Sequence, residues 1–524
     1  MKQLDFLLFF AFLVTSSSPC ADSLETLQPI VPTTELDTHE EETVQELPFE
    51  TIFLENREIY EGLTIRSIEI TGNHKINEHI IRKQLSSSPG SALKTSDLKD
   101  SVRRLEALGY FKRNGIYWKI RKNINKTADL ELVINESGST AYISAGGIHR
   151  TDRRYSATPF GFGFTRCLKN GVIEKFECGN ATSSLGLLNF SYDWPCVKKT
   201  NARSGFEVYY RAKEHLFWSL SYDFPQERIF GASIKGNIFF PEFDRDIKFY
   251  GELGAEYSEL ADTERFKRNR SVQFRSLPRG ISSSYSDFFF DRVENLGPLA
   301  WARICVTKDT RNHTQNPSEG IYLVATNKIG IPNGNLNEAF IKTDVSGCLY
   351  LLVNNEKNLI LALRATAGGI YDISGSSKVP YRELYQIGSC DSIRGAHQGY
   401  AGPTLMTSNY KKDTYSTPLG ALYYTVCNAE LRTPISLFSS WDITTKLFYD
   451  IGCGFGVDTK DIPSEARPFL KNKAFNPRHT AGVGLSFGAT SPLQANFNIG
   501  WKLDRNSSFD EEPYLLQSSI TATW

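Results

Sequence analysis

From Tyr142 to Trp524 the chain repeatedly sets apolar residues at every second position against polar ones. Ile247, Phe249, Leu253, Ala255 and Tyr257 oppose Lys248, Tyr250, Glu252 and Glu256. Leu359, Leu361, Leu363, Ala365 and Ala367 oppose Arg364 and Thr366, and Leu493, Ala495, Phe497, Ile499 and Trp501 oppose Gln494, Asn496, Asn498 and Lys502. A period of two marks strands with unlike faces. Each apolar face runs over roughly 9–11 residues, the reach of a tilted strand crossing a bilayer. A large soluble sandwich or propeller would have to bury the opposing charges in a dry core, which is costly; a water-filled lumen accepts them. About 380 residues, at ~24 per strand and loop, hold roughly 16 strands. The pattern predicts a membrane β-barrel of about 16 antiparallel strands over residues 138–524. Ile520, Ala522 and Trp524 end a last strand suited to meet the first.

Ahead of it the periodicity changes. Ile65-Arg66-Ser67-Ile68-Glu69-Ile70 alternates and stops at Gly72-Asn73, a strand and turn. Asn77 is placed to cap a helix carrying Ile80, Ile81 and Leu85, broken by Pro89-Gly90. Ser96 is placed to cap a second helix, with Leu98, Val102, Leu105 and Leu108 at helical spacing, ending at Gly109-Tyr110-Phe111. Strands near Gly115 to Ile120 and Leu130 to Ile134 complete a β-α-α-β-β unit over residues 63–137, a small α+β domain. Its open sheet edge can accept an extended peptide.

Composition refines this picture without changing it. The 524 residues are 40% hydrophobic with a mean hydropathy of −0.33. Beyond the N-terminus no apolar run is long enough for a membrane helix, and bulk hydropathy does not register barrels. The 34 Phe, 24 Tyr and 7 Trp suit interfacial girdles, and the 39 Gly suit turns and strand kinks. Residues 1–21 read as a secretory signal: Lys2, an apolar core from Phe6 to Val14, and small residues from Ser16 to Ala21. Residues 22–62 read as a flexible acidic linker, with twelve acidic residues and one basic between Asp22 and Glu61. Basic residues elsewhere are scattered, so a nucleic-acid partner is not indicated. No C-x-x-C pair suggests a metal. Cys167 and Cys178 can bridge a short loop or stay free as small apolar residues.

The segment richest in candidate chemistry is Ile393-Arg394-Gly395, followed by Phe448-Tyr449-Asp450-Ile451-Gly452. The second lies in an alternating run: Trp441, Ile443, Leu447, Tyr449 and Ile451 face one way, Asp442, Lys446, Phe448, Asp450 and Gly452 the other. An arginine on an irregular segment can reach Asp450 on the charged face, and such a pair pins a loop. Gly484-Leu485-Ser486-Phe487-Gly488 matches a nucleophile-elbow pattern but sits in an alternating strand, so no enzyme is indicated.

Together these features resemble the superfamily of outer-membrane assembly factors with POTRA domains and a C-terminal barrel, which includes BamA, TamA, the mitochondrial sorting barrel and two-partner secretion transporters. Residues 63–137 look like one POTRA domain with the Gly109-Tyr110-Phe111 signature. Asp309-Thr310-Arg311, Pro317 and Gly320 look like the mid-barrel pattern. Tyr385, Gly388 and Ser392-Ile393-Arg394-Gly395 look like the part of extracellular loop six that folds into the lumen. Glu430-Leu431-Arg432-Thr433-Pro434 and Phe448 to Gly452 look like the two strands after it. The chain departs from the pattern at Ser389, where a second glycine is usual, at Ala396, where an aromatic is usual (His397 and Tyr400 stand nearby), and at the final Trp524. It has one POTRA domain where BamA has several.

The resemblance implies an Arg394–Asp450 pair with Glu430 in the same network. Tyr424, Asn428, Glu430 and Arg432 would face the lumen; Tyr423, Thr425, Cys427, Ala429 and Leu431 would face lipid. It implies a lateral seam between a first strand near Ala141, Gly146 and Gly147 and a last strand near Ile520 and Trp524. It implies insertion of β-barrel proteins into a bacterial outer membrane, or alternatively an organelle's. The partners implied are unfolded outer-membrane proteins, periplasmic chaperones or accessory assembly subunits, and outer-membrane lipid, with no cofactor. The alternatives are a polypeptide-translocating pore of the same superfamily, for secretion or import, and a passive porin.

Overall fold

The computed structural model of the chain describes residues 50–51 and most of 61–523. The proposed signal and nearly all of the acidic linker lie outside the described residues, as do Gly109, Tyr110, residues 261–296, Trp441, Asp442 and Trp524.

The α+β unit begins with the two-residue β1 (Glu50–Thr51), then β2 (Thr64–Thr71), α1 (Glu78–Arg82), α2 (Thr95–Glu106), β3 (Phe111–Lys122) and β4 (Thr127–Glu136). The sheet order is β1-β3-β4-β2, with β2 parallel to β4 and β3 antiparallel to it. Asn77 caps α1, its Oδ1 accepting from the His79 N–H at 2.9 Å. α1 is shorter than the periodicity suggested: Gln84 and Leu85 close tight turns onto Ile81 and Arg82 instead. α2 starts at Thr95, and the Leu98 N–H bonds the Lys94 carbonyl, so Ser96 lies inside the first turn and is not the cap. Ile65, Ile81, Leu98, Leu105, Trp118 and Leu130 form its dry core, and the Trp118 indole donates to the Leu98 carbonyl at 3.3 Å. Gly72 turns at φ 86°, and a Cβ there would lie 2.0 Å from the Ile134 carbonyl oxygen, so only glycine fits. The edge of β3 is not open: Glu50 pairs with Ile120 and Thr51 with Lys119, so the chain's own backbone occupies part of it.

The barrel begins with β5 (Ser139–His149), β6 (Phe160–Cys167), β7 (Ile173–Ala181), β8 (Ser184–Trp194), β9 (Ala202–Glu214), β10 (Gln226–Phe239) and β11 (Ile247–Leu260). It continues through β12 (Pro298–Asp309), β13 (Gly320–Pro332), β14 (Phe340–Asn354) and β15 (Leu359–Asp372). A long loop then carries the hairpin β16 (Thr404–Ser408) and β17 (Thr414–Pro418). β18 (Tyr423–Ile435) and β19 (Ile443–Phe455) return to the wall; the short β20 (Leu470–Lys471) pairs with β16. β21 (Arg478–Phe487), β22 (Leu493–Lys502) and β23 (Tyr514–Thr523) finish the barrel. Each wall strand is antiparallel to the next and β23 pairs with β5, so 16 strands form a closed barrel.

The alternation sets the wall. Leu253, Ile304, Leu447 and Val483 are exposed on the outer face, while Glu252, Thr366, Phe448 and Asp450 are buried on the inner one. Ser486 lies in β21, buried and hydrogen-bonded to the Asn496 side chain, in a strand and not in an elbow. Cys178 is free. The β6–β7 register explains why: Cys167 stands opposite Ile173 and Cys178 opposite Phe162, at different ends of the hairpin.

At the end nearest the α+β unit, Arg103 of α2 reaches the barrel turns, bonding Asp246 Oδ1 at 2.7 Å and the Asp309 carbonyl. Asp309 and Arg311 form a two-bond ion pair at 2.8 and 2.9 Å, and Gly320 packs against the Thr310 backbone. At the far end the lumen is not a simple water-filled channel. Trp301, Phe340, Tyr385, Ile387, Ile393 and Leu405 belong to an apolar cluster that joins the wall to the β15–β18 loop.

Candidate functional site: the lumenal loop and the closing seam

The β15–β18 loop descends from the far rim into the lumen and returns. Three residues make its turn possible. Gly388 has φ 114°, and a Cβ there would sit 2.0 Å from the His397 carbonyl oxygen. Ser389, where a glycine is usual, has φ 130°, a conformation that strains a residue with a side chain. Gly395 has φ 89° and lies against Gly500 of β22; a Cβ on Gly500 would be 2.8 Å from the Gly395 Cα. Loop backbone thus rests directly on wall backbone, which only two glycines allow.

That close seat delivers Arg394. Its Nε and Nη2 donate to Asp450 Oδ2 and Oδ1, each at 2.8 Å, and its backbone N–H donates to Asp450 Oδ2 at 2.9 Å. Nη1 donates to Glu430 Oε2, and Glu430 Oε1 accepts from Arg432 Nε at 2.6 Å. The guanidinium stacks on Phe448, 3.8 Å from the ring centroid. Phe448 in turn fills the space over Gly482, where a Cβ would meet the ring at 2.3 Å. Asp450 is fully buried and the Arg394 side chain is 11% exposed, so the pair is satisfied inside the protein, not by solvent. Asn428 Nδ2 donates to the Ser392 carbonyl at 2.7 Å, Ile393 is buried in the apolar cluster, and Gly452 lies against the β18 backbone beside Val426. Ala396 is buried, and the His397 and Tyr400 rings meet edge to face, with centroids 6.1 Å apart. The ring under Arg394 comes from the wall.

Arg394, Gly395, Ile393, Asp450, Glu430, Phe448 and Gly452 therefore converge on one buried site. The pattern in β19 located Asp450. Gly482 and Gly500 were missed; the signal was a glycine inside an alternating strand, which marks close approach.

Ala141, Gly146, Gly147 and Ile520 fall elsewhere, on the strands that close the barrel. β5 and β23 are paired from Tyr142↔Thr523 to His149↔Leu516, with Gly146 opposite Ser519 and Ala145 opposite Ile520. Ala141 lies on β5 just before that ladder and pairs with Phe164 of β6. Among the described residues, the strands near this closure are shorter than those across the barrel: β5 has 11 residues, β6 has 8, β7 has 9, and β22 and β23 have 10 each. On the opposite side β10, β11 and β15 have 14 and β14 has 15. Two separate features result: a lumenal loop held by a buried ion cluster, and a barrel closed where its described strands are shorter.

A closed 16-strand barrel behind one α+β unit, with an arginine loop bound inside, defines a class of outer-membrane β-barrel. Residues 180–524 match the Omp85 superfamily domain, and residues 63–137 match the POTRA family described as surface antigen variable number repeat. The chain belongs to the Omp85 superfamily. It is an outer-membrane barrel protein with its POTRA domain on the periplasmic side. It is 24% identical over 419 residues to the outer membrane protein assembly factor BamA of Neisseria meningitidis serogroup B, covering 78% of this chain and 48% of that one. The chain spans about half the length of the curated relatives it matches. Its fold is similar to BamA from Haemophilus ducreyi lacking POTRA domains 1–3, with a TM-score of 0.56 and 19% identity over 88% of this chain and 85% of that one. It is also similar to CdiB from Escherichia coli, with a TM-score of 0.54 and 13% identity over 89% and 77%.

Proposed function

We propose that this protein is an outer-membrane assembly factor that folds and inserts β-barrel proteins through the β5–β23 seam. The observation that carries the reading is the barrel's unequal height. Strands β6, β7, β22 and β23, of 8–10 residues near the seam, extend about 27–34 Å at ~3.4 Å per residue, or roughly 19–24 Å across the membrane at a ~45° tilt. That is at or below the ~25 Å apolar band of an outer-membrane barrel. Strands of 14–15 residues opposite span about 34–36 Å on the same arithmetic. The bilayer must thin to meet the low side. Parting the seam there would expose the β5 and β23 edges, and unpaired backbone in lipid is costly, so an incoming strand would pair with them. Templating and thinning lower the barrier; no covalent chemistry is required.

The POTRA domain would receive unfolded clients from periplasmic chaperones or accessory subunits. Because Glu50 and Thr51 already pair with β3, a client strand added at that edge would have to displace them. The Arg394 cluster would tie the loop to β18 and β19, three strands from the seam on the β23 side, so that opening is confined to the seam itself.

The relatives named assembly factor BamA support this reading at low identity. The likeness to CdiB is a likeness of fold, and the same fold suits a polypeptide-translocating pore. The two readings separate in proteoliposomes given urea-unfolded barrel proteins. Insertion predicts faster client folding than in empty vesicles, reduced by Arg394→Ala. Folding no faster than in empty vesicles, together with passage of an unfolded polypeptide across the vesicle membrane, would replace insertion by translocation.

A further inference from the structure

The lumenal loop has a second ionic attachment, twelve residues before Arg394 and on a different part of the wall. Pro380 leads into a single 3-10 turn, Tyr381–Glu383. Within it, two adjacent residues of opposite charge meet wall residues of opposite charge to themselves. Arg382 lies 3.2 Å from Glu227 of β10 and 3.2 Å from Glu256 of β11, and bonds the Ser258 hydroxyl. Glu383 accepts from Lys328 of β13 at 2.7 Å, while Lys342 of β14 donates to the Glu383 carbonyl at 2.7 Å. The Arg382 side chain is 6% exposed and that of Glu227 is fully buried.

We infer that Arg382 and Glu383 form a second anchor that, with Arg394, stretches the loop across the lumen as a strap and seals it to ions. Arg394 fixes the strap to β18 and β19, and Gly395 seats it on β22. Arg382 and Glu383 fix the other end to β10, β11, β13 and β14. Between the two anchors Leu384, Tyr385 and Ile387 fill the apolar cluster. Neither anchor alone can hold a segment across the opening. Without Arg382, the buried Glu227 and Glu256 are left with their strap partner gone, and that end gains more from water than from protein. Arg382 is therefore a positioning residue: it acts through the loop, not on a client. The charge order matters too. An acidic wall followed by a basic wall accepts Arg-Glu in that sequence and repels the reverse.

The seal does not depend on whether the protein inserts or translocates, so its test is separate from the client-folding test. The full-length protein, folded into planar bilayers, is compared with Arg382→Met, Arg382→Lys and the double variant Glu227→Gln/Glu256→Gln. Heat-modifiable migration on SDS gels first identifies folded barrels. Arg382→Met should raise the mean current roughly tenfold, as a closed state that loses a buried ion pair gives way to an open one. Glu227→Gln/Glu256→Gln should raise it similarly, by removing the same attachment from the wall side. Arg382→Lys should stay near the wild type. A wild-type current in folded Arg382→Met overturns the proposal. So does a rise in Arg382→Met that the double glutamine variant does not share.

Discussion

The wall from β10 to β19 and the wall around the β5–β23 seam are made by the same alternating code, yet they differ in what lies behind them. The first is tall, with strands of 12–15 residues, and is braced from inside by ion clusters at Arg382, Glu383 and Arg394. The seam is lower, and its strands pair in register from Tyr142↔Thr523 to His149↔Leu516. The difference teaches that a closed barrel need not be uniformly strong. Buried charge clusters brace one side, so the side with the shortest ladders is where opening costs least.

Breaking the brace should have the largest effect. Arg394→Ala leaves Asp450 buried without the bidentate partner that satisfies it. Removing one member of such a pair typically costs about 3–5 kcal/mol, less where lumen water screens it. Urea titration of the folded barrel should show a clearly lower midpoint, and Asp450→Asn should lower it less because an amide still accepts one bond. Equal midpoints for Arg394→Ala and the wild type would mean that this ion cluster does not brace the barrel.

Lifting the loop without touching any charge should come next. Gly500→Ala drives a methyl group to 2.8 Å from the Gly395 Cα. Overpacking of this kind costs about 1–3 kcal/mol. The expected result is a barrel of normal heat-modifiability whose loop is cut by added protease faster than in the wild type.

The POTRA domain offers a control outside the barrel. Hydrogen bonding from Arg66, assisted by Ser67 and Asn123, holds the Asp129 carboxyl well below the usual carboxylate range despite its burial. A depressed native value means the stabilisation is complete at neutral pH and is lost as the proton binds. Residues 63–137 alone should lose melting temperature as pH falls from about 5 toward 2, and Asp129→Asn should flatten that slope while lowering the neutral value. A slope unchanged by Asp129→Asn would assign acid sensitivity to other groups.

The smallest effect is a gain. Ser389 at φ 130° carries a strain that glycine does not, worth about 1 kcal/mol. Ser389→Gly should slow protease cleavage of the loop slightly and leave the seam unaffected.

Much of this was legible in the sequence for physical reasons. Alternation in β11, β15 and β22 exposes the wall because lipid and lumen impose opposite demands on neighbouring residues. Asp450 stood out because a carboxylate facing inward in β19 needs a cation. Arg382 and Glu383 did not stand out, because two adjacent charges in an irregular segment look like solvated surface until Glu227, Glu256, Lys328 and Lys342 are brought around them. The dry cluster of Trp301, Phe340 and Ile393 was also hidden: its members come from separate strands and a loop, and no local period links them. The start of α2 was misplaced because Thr95 and Ser96 are both good first-turn residues, and the order of the backbone bonds decided between them.

Insertion through the barrel wall requires that the seam open. Ala145 and Ile520 stand directly opposite across it, at the spacing of an antiparallel pair that a disulfide can bridge. Cysteines at these two positions, in a background whose other cysteines are replaced by serine, should lock the seam on oxidation. Client folding in proteoliposomes should then fall to the rate of empty vesicles and recover on reduction. Client folding at the full rate with an oxidised, fully cross-linked seam would mean that clients do not enter through it.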